Sequence, residues 1–117
     1  MNPIERRESP RREAIYHIAF ESFNAHGEKV DAGPAHTVNI SGRGALVEMP
    51  RGVDLDGSMI LWIMGPFHTV LVKGSVVHSR SIANGAFHVG VRLLDMIEGS
   101  WDIWEKIARG RMEESEL

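Results

Sequence analysis

The sequence predicts an all-β fold with a C-terminal helix, a six-stranded antiparallel β-barrel. Three observations predict it. Six short runs rich in β-branched and aromatic residues are separated by Gly, Pro and Asn breaks. Ala83-Asn84-Gly85 supplies the Asn-Gly pair of a tight hairpin, in which both central residues take positive φ. Beyond the last run the period changes: Ile97, Trp101, Trp104 and Ala108 recur at helical steps, while Glu98, Asp102, Glu105 and Lys106 take other faces.

Residues 1–13 read as a flexible arginine-rich arm, polar throughout and punctuated by Pro3 and Pro10. The barrel spans 14–94. From Ala14 the segment Ile15-Tyr16-His17-Ile18-Ala19-Phe20-Glu21 is the first strand, and Asn24 to Pro34, with two glycines and few apolar residues, reads as a loop. Ala35–Ile40 is the second strand, and the Gly42-Arg43-Gly44 break separates it from Ala45–Met49, which Pro50 ends. Gly57–Met64 is the fourth, with Trp62 expected in the core. Thr69–Ser79 is the fifth, with Gly74 placed at a bulge, and Gly85–Leu94 the sixth. Residues 95–117 carry the helix and an acidic tail; Ser100 is the expected N-cap, with Asp102 in the first turn.

Composition narrows the functions. The 117 residues, 43% hydrophobic and 25% charged, suit one soluble domain. Thirteen Lys+Arg against sixteen Asp+Glu give a net charge of -3, which speaks against general nucleic-acid coating and a polybasic membrane anchor, so no DNA or RNA partner is expected. Cysteine is absent, removing disulfide and thiolate chemistry. The longest apolar run, Met59–Met64, stops at Gly65-Pro66, far short of the roughly 20 residues that span a bilayer, and the amino terminus lacks an apolar h-region. A cytoplasmic protein without membrane insertion is the expectation. There is no Gly-x-Ser-x-Gly elbow, no P-loop and no metal-ligand spacing, so no enzyme, cofactor or metal is expected. His68, His78 and His88, ten apart, match no ligand pattern; His78, late in its strand, is placed to flank a bound base.

Two clusters carry chemistry. In Glu5–Arg12 four arginines fall within seven positions, and Pro10 keeps the segment out of a helix. In an extended chain Arg7 and Arg11 share a side, with Cα atoms roughly 13 Å apart. Guanidinium stays charged, forks onto phosphate oxygens or guanine O6 and N7, and stacks on planar rings. By itself such an arm is a solvated tail. The second cluster is Asn39-Ile40-Ser41-Gly42-Arg43-Gly44. Asn39 and Ser41 share a face while Ile40 turns to the core, and Gly44 is expected to allow a backbone conformation or a ligand approach that a Cβ blocks.

Together these clusters resemble the PilZ domain, a family of bacterial cyclic di-GMP receptors built on a split barrel. Its signatures are an Arg-x-x-x-Arg arm, often with an extra arginine in front, and an [Asp/Asn]-x-Ser-x-x-Gly turn about thirty residues later. Here they stand as Arg6-Arg7-Glu8-Ser9-Pro10-Arg11 and Asn39-Ile40-Ser41-Gly42-Arg43-Gly44. His88-Val89-Gly90-Val91-Arg92-Leu93 is similar to the family's late Gly-Val-x-Phe strand, with Leu93 replacing the aromatic. The resemblance implies that Arg7 and Arg11 grip phosphates and guanine faces, that Asn39 and Ser41 hydrogen-bond a guanine edge, and that Gly44 permits close contact. Arg6 sits where doubled-arginine members take two intercalated nucleotides. The implied function is a nucleotide-binding module whose arm orders on cyclic di-GMP and which signals to a partner protein in trans. The alternatives are a PilZ-like adaptor that acts by protein contact without nucleotide, and an oligonucleotide-binding barrel, which one Tyr and four Phe support poorly.

Overall fold

The computed structural model describes residues 12–13, 16–65 and 68–109. Its strands are β1 Arg12–Glu13, β2 His17–Phe23, β3 Lys29–Ser41, β4 Gly44–Met49, β5 Ser58–Met64, β6 Thr69–Ser81 and β7 Phe87–Glu98, followed by helix α1, Trp101–Arg109. Every pairing is antiparallel, and β2-β5-β6-β7-β4-β3 close into a ring because β3 pairs with both β2 and β4. This is the expected six-stranded barrel with one C-terminal helix. Closure limits the sheet edge that would otherwise template aggregation.

Alternation builds the interior. In β5 Met59, Leu61 and Ile63 are fully buried, and the same period turns Ile18 and Phe20 of β2, Val47 and Met49 of β4, and Val89 and Val91 of β7 inward. Each such side chain contributes about 1.5–3 kcal/mol by leaving water. The period also corrects Trp62. It lies between Leu61 and Ile63 and so faces outward, half-buried beside Leu71 and Ala19 on the neighbouring strands.

The segment expected as a loop, Asn24–Pro34, is mostly strand: only 24–28 turn, with Asn24 Oδ1 accepting from the His26 and Glu28 amides at 2.9 and 3.0 Å. Lys29–Ala35 pair with β2 alone, since β4 joins only at His36. That half-strand is an exposed edge, where Pro34 is tolerated and no apolar period is required. The 82–86 hairpin shows the expected backbone, with Asn84 at φ 69° and Gly85 at φ 77°, although the turn is a wider one closed by Ile82 N–H to Ala86 O at 2.9 Å. The register shifts between Lys73 and Gly74, as the bulge expectation requires, and a Cβ on Gly74 would stand 2.5 Å from the Arg92 carbonyl oxygen.

The helix begins later than its stripe implied. β7 continues through Glu98, paired with Leu71, and Gly99 at φ 94° makes the corner, so Ile97 is a half-exposed strand residue rather than the first of the helix. Ser100 Oγ then accepts from Ile103 N–H at 3.1 Å, the expected cap. Trp104, Ile107 and Ala108 bury against the barrel. Among the described residues no helix is long and apolar enough to cross a membrane.

At the other terminus β1 lies against β3, Arg12 opposite Ile40 and Glu13 opposite Asn39. The chain therefore joins the sheet two residues before the expected first strand, whose Ala14 and Ile15 lie outside the described residues. Tyr16 and buried Thr37 continue the contact: Tyr16 N–H donates to Thr37 Oγ1 and Thr37 N–H to Tyr16 O, each at 2.9 Å. These bonds satisfy a polar side chain that burial would otherwise penalise.

Candidate functional site

The end of β3 and the start of β4 form one wall of an open cleft of about 260 Å³. Asn39, Ser41, Gly44 and Leu46 line it from these strands, and Val77, His78 and Gly90 from β6 and β7. Sequence parity holds: Ile40 is fully buried while Asn39 and Ser41 flank it on the outer face. The strands stack these residues in rows, with Asn39 opposite Leu46, Leu46 opposite Gly90, and Gly90 opposite His78. A second row runs from Ser41 to Gly44 to Arg92.

The glycines have separate tasks. Gly42, at φ 50°, takes the left-handed corner of the β3–β4 turn, so of the two tasks expected for Gly44 the special backbone conformation falls to Gly42 instead. Gly44 is ordinary strand, and a Cβ there would sit 3.6 Å from Ser41 O and 3.7 Å from Val91 O. The fold thus does not require Gly44; its bareness keeps the cleft wall flat. Gly90 is different. A Cβ on it would come within 2.5 Å of His78 Nε2, so the imidazole lies across Gly90 and presents its other face outward.

Arg6, Arg7 and Arg11 lie outside the described residues. The backbone that follows them does not: Arg12 opposite Ile40 brings the arm's root alongside Asn39 and Ser41. Sequence reading overlooked Gly90, Leu46, Val77 and Arg92 as neighbours of the cleft. The strand parity was available, but which strands adjoin depends on β7 pairing with β4, a long-range choice.

One row further along the barrel, Glu48 Oε1 lies 3.2 Å from His88 Nε2 and 3.9 Å from His36 Nε2, and Arg80 stands opposite His88 on β6. His88 is thereby engaged with a carboxylate. No three His, Cys, Asp or Glu groups among the described residues converge to hold a metal ion.

The chain is thus a closed antiparallel barrel with a C-terminal helix and a polar cleft on its outer wall. The sequence matches the PilZ domain over residues 5–109, nearly its whole length, and the chain belongs to that family, whose members are non-catalytic receptors for cyclic di-GMP. The fold is similar to a solved structure described as the Bacillus subtilis inhibitor of motility (MotI/DgrA), with a TM-score of 0.66 at 15% identity. That similarity covers 92% of this chain and 52% of the other, so the chain spans about half the length of that relative. No curated protein matches the sequence.

Proposed function

We propose that this chain is a cyclic di-GMP receptor whose nucleotide is held between the arginine arm and the Asn39–Gly44 turn. One observation carries the reading: β1 pairs with β3 so that the chain leaving Arg11 runs beside Asn39, Ile40 and Ser41. The root of the arm and the turn, distant in sequence, thus adjoin, which supports the reading. Arg7 and Arg11 supply charge and bidentate donors for phosphates and guanine edges, Asn39 and Ser41 hydrogen-bond a base, Gly44 leaves room for it, and the His78 imidazole offers it a flat neighbour. Asn39 in place of the commoner Asp gives up a charged acceptor for guanine N–H groups but avoids repelling phosphate. Arg6 makes a pair of intercalated nucleotides the expected stoichiometry, and calorimetry giving one per protomer removes it.

Binding orders residues 5–11, which precede the Arg12 already paired in β1, against the barrel and creates a surface that a partner protein reads, in the cytoplasm where such messengers act. The switch works by differential affinity, so the partner must discriminate between the two states. A second reading is the adaptor without nucleotide. Leu94 and Ile97, exposed on β7 just before α1, favour it as an apolar contact surface.

Titration calorimetry separates the two. The receptor takes up cyclic di-GMP saturably, more weakly as salt rises, and Arg7→Ala or Arg11→Ala each cuts affinity at least ten-fold, about 1.4 kcal/mol. A native chain that takes up no nucleotide at low salt leaves the adaptor standing.

A further inference from the structure

The turn that carries Asn39, Ser41 and Gly44 is held from outside by its two middle residues. Gly42 O accepts a hydrogen bond from the Trp104 indole Nε1–H. Arg43 O accepts from Leu93 N–H at 2.7 Å, and the Arg43 guanidinium lies 3.7 Å above the Trp101 ring. Helix α1 itself is anchored: Trp104 and Ile107 are buried, and the Tyr16 hydroxyl, from the segment joining β1 to β2, donates to Ile107 O at 3.4 Å.

From these contacts we infer that α1 is a positioning element for the nucleotide site. Trp104 and Trp101, acting through Gly42 and Arg43, set how Asn39 and Ser41 are presented. The inference rests on the receptor reading above and deepens it. Gly42, at positive φ, has no side chain to hold its carbonyl, so fixing that group calls for an outside partner. The Trp104 N–H supplies one. Trp104 is fully buried, and a rotation of the Gly42 carbonyl away from it leaves an indole donor without a partner inside the protein. Arg43 adds a second tie on the solvent side, a cation–π stack on the one α1 tryptophan that remains partly exposed. Because coupling is reciprocal, nucleotide on the ledge also alters the Arg43–Trp101 stack, and α1 becomes the element that registers occupancy.

Trp104→Phe keeps an aromatic in the core, but removes the N–H together with part of the indole ring, so its stability is read beside its affinity. The test measures its cyclic di-GMP affinity by calorimetry, with the thermal midpoint alongside, and Trp62→Phe on the outer wall as control. The expected result is a folded Trp104→Phe protein with affinity five- to ten-fold lower and Trp62→Phe at the native value. Arg43→Ala, which leaves the core intact, is expected to bind two- to five-fold more weakly and to lose the nucleotide-dependent change in tryptophan emission, with Arg43→Lys recovering part of both. Native affinity in both folded Trp104→Phe and Arg43→Ala overturns the inference while leaving the receptor reading in place. If Trp104→Phe does not fold, Arg43→Ala decides alone. A native chain that binds no cyclic di-GMP overturns both.

Discussion

The two ends of the barrel are held in different ways. At the end that bears α1, the β3–β4 turn is fixed by a buried indole, a backbone bond from β7 and an arginine stacked on tryptophan. At the other end, the β4–β5 loop is tied to β3 by an exposed ion pair, Arg51 to Asp31, with Nε–Oδ2 and Nη2–Oδ1 contacts of 2.8 and 2.9 Å. Behind that pair lies a cleft of about 280 Å³ lined by Ser22, Phe23, Val53 and Asp54 among others. Rigidity resides at the α1 end. A ledge that hydrogen-bonds a ligand through a neutral amide and hydroxyl gains from packing that water and salt do not weaken. The Asp31–Arg51 pair cancels its own charge and stays open to screening.

Removing Trp104 breaks this contrast most forcibly. Trp104→Ala empties a fully buried site and is expected to cost about 3–5 kcal/mol in a denaturant melt, whereas an alanine at Arg51 barely moves the midpoint. A matched pair of glycines sharpens it. At the ion-pair end a Cβ on Gly57 runs into the Phe23 carbonyl oxygen, so Gly57→Ala should lose roughly 1–3 kcal/mol of stability, read in the same melt. At the ledge Gly44→Ala meets only ordinary contacts and should melt within about 0.5 kcal/mol of native. Its effect should appear instead in calorimetry, as a cyclic di-GMP affinity at least ten-fold lower, about 1.4 kcal/mol. Equal stability losses at the two glycines would contradict the assignment of Gly44 to ligand approach.

The smallest effect is electrostatic. The Arg51 guanidinium hydrogen-bonded to Asp31 holds that carboxyl below its ordinary value of 3.8. A carboxyl depressed in the folded state stabilises above its unfolded pKa and loses that contribution as pH falls through the folded one. The advantage of the native chain over Asp31→Asn should therefore be present at neutral pH and shrink as pH falls below 3.8. It should also shrink in high salt, and thermal midpoints over pH and salt check both.

Much of the fold was legible because local chemistry and the closed barrel agree. Asn84-Gly85 demanded positive φ, and Met59, Leu61 and Ile63 demanded one inward face. What escaped was set by pairing at a distance. Lys29–Ala35 form strand on an edge exposed enough to need no apolar alternation, and Glu98 extends β7 because Leu71 is there to receive it. Trp62 was misread because size was given priority over parity. At the site, Asn39, Ser41 and Gly44 were legible as a spaced motif and His78 as a candidate beside a base, while Gly90 joined them only once β7 lay between β4 and β6. Arg43 and Trp101, far apart in sequence, left no local sign of their contact.

The central claim is that the arginine arm and the β3–β4 ledge meet on one ligand. Amide NMR spectra recorded through a cyclic di-GMP titration address it directly. The largest shifts are expected to fall together on residues 6–12, on Asn39 to Gly44, and on His78 and Gly90, while Asp31 and Arg51 stay in place. Shifts confined to the arm, or centred on the Asp31–Arg51 end, would contradict it.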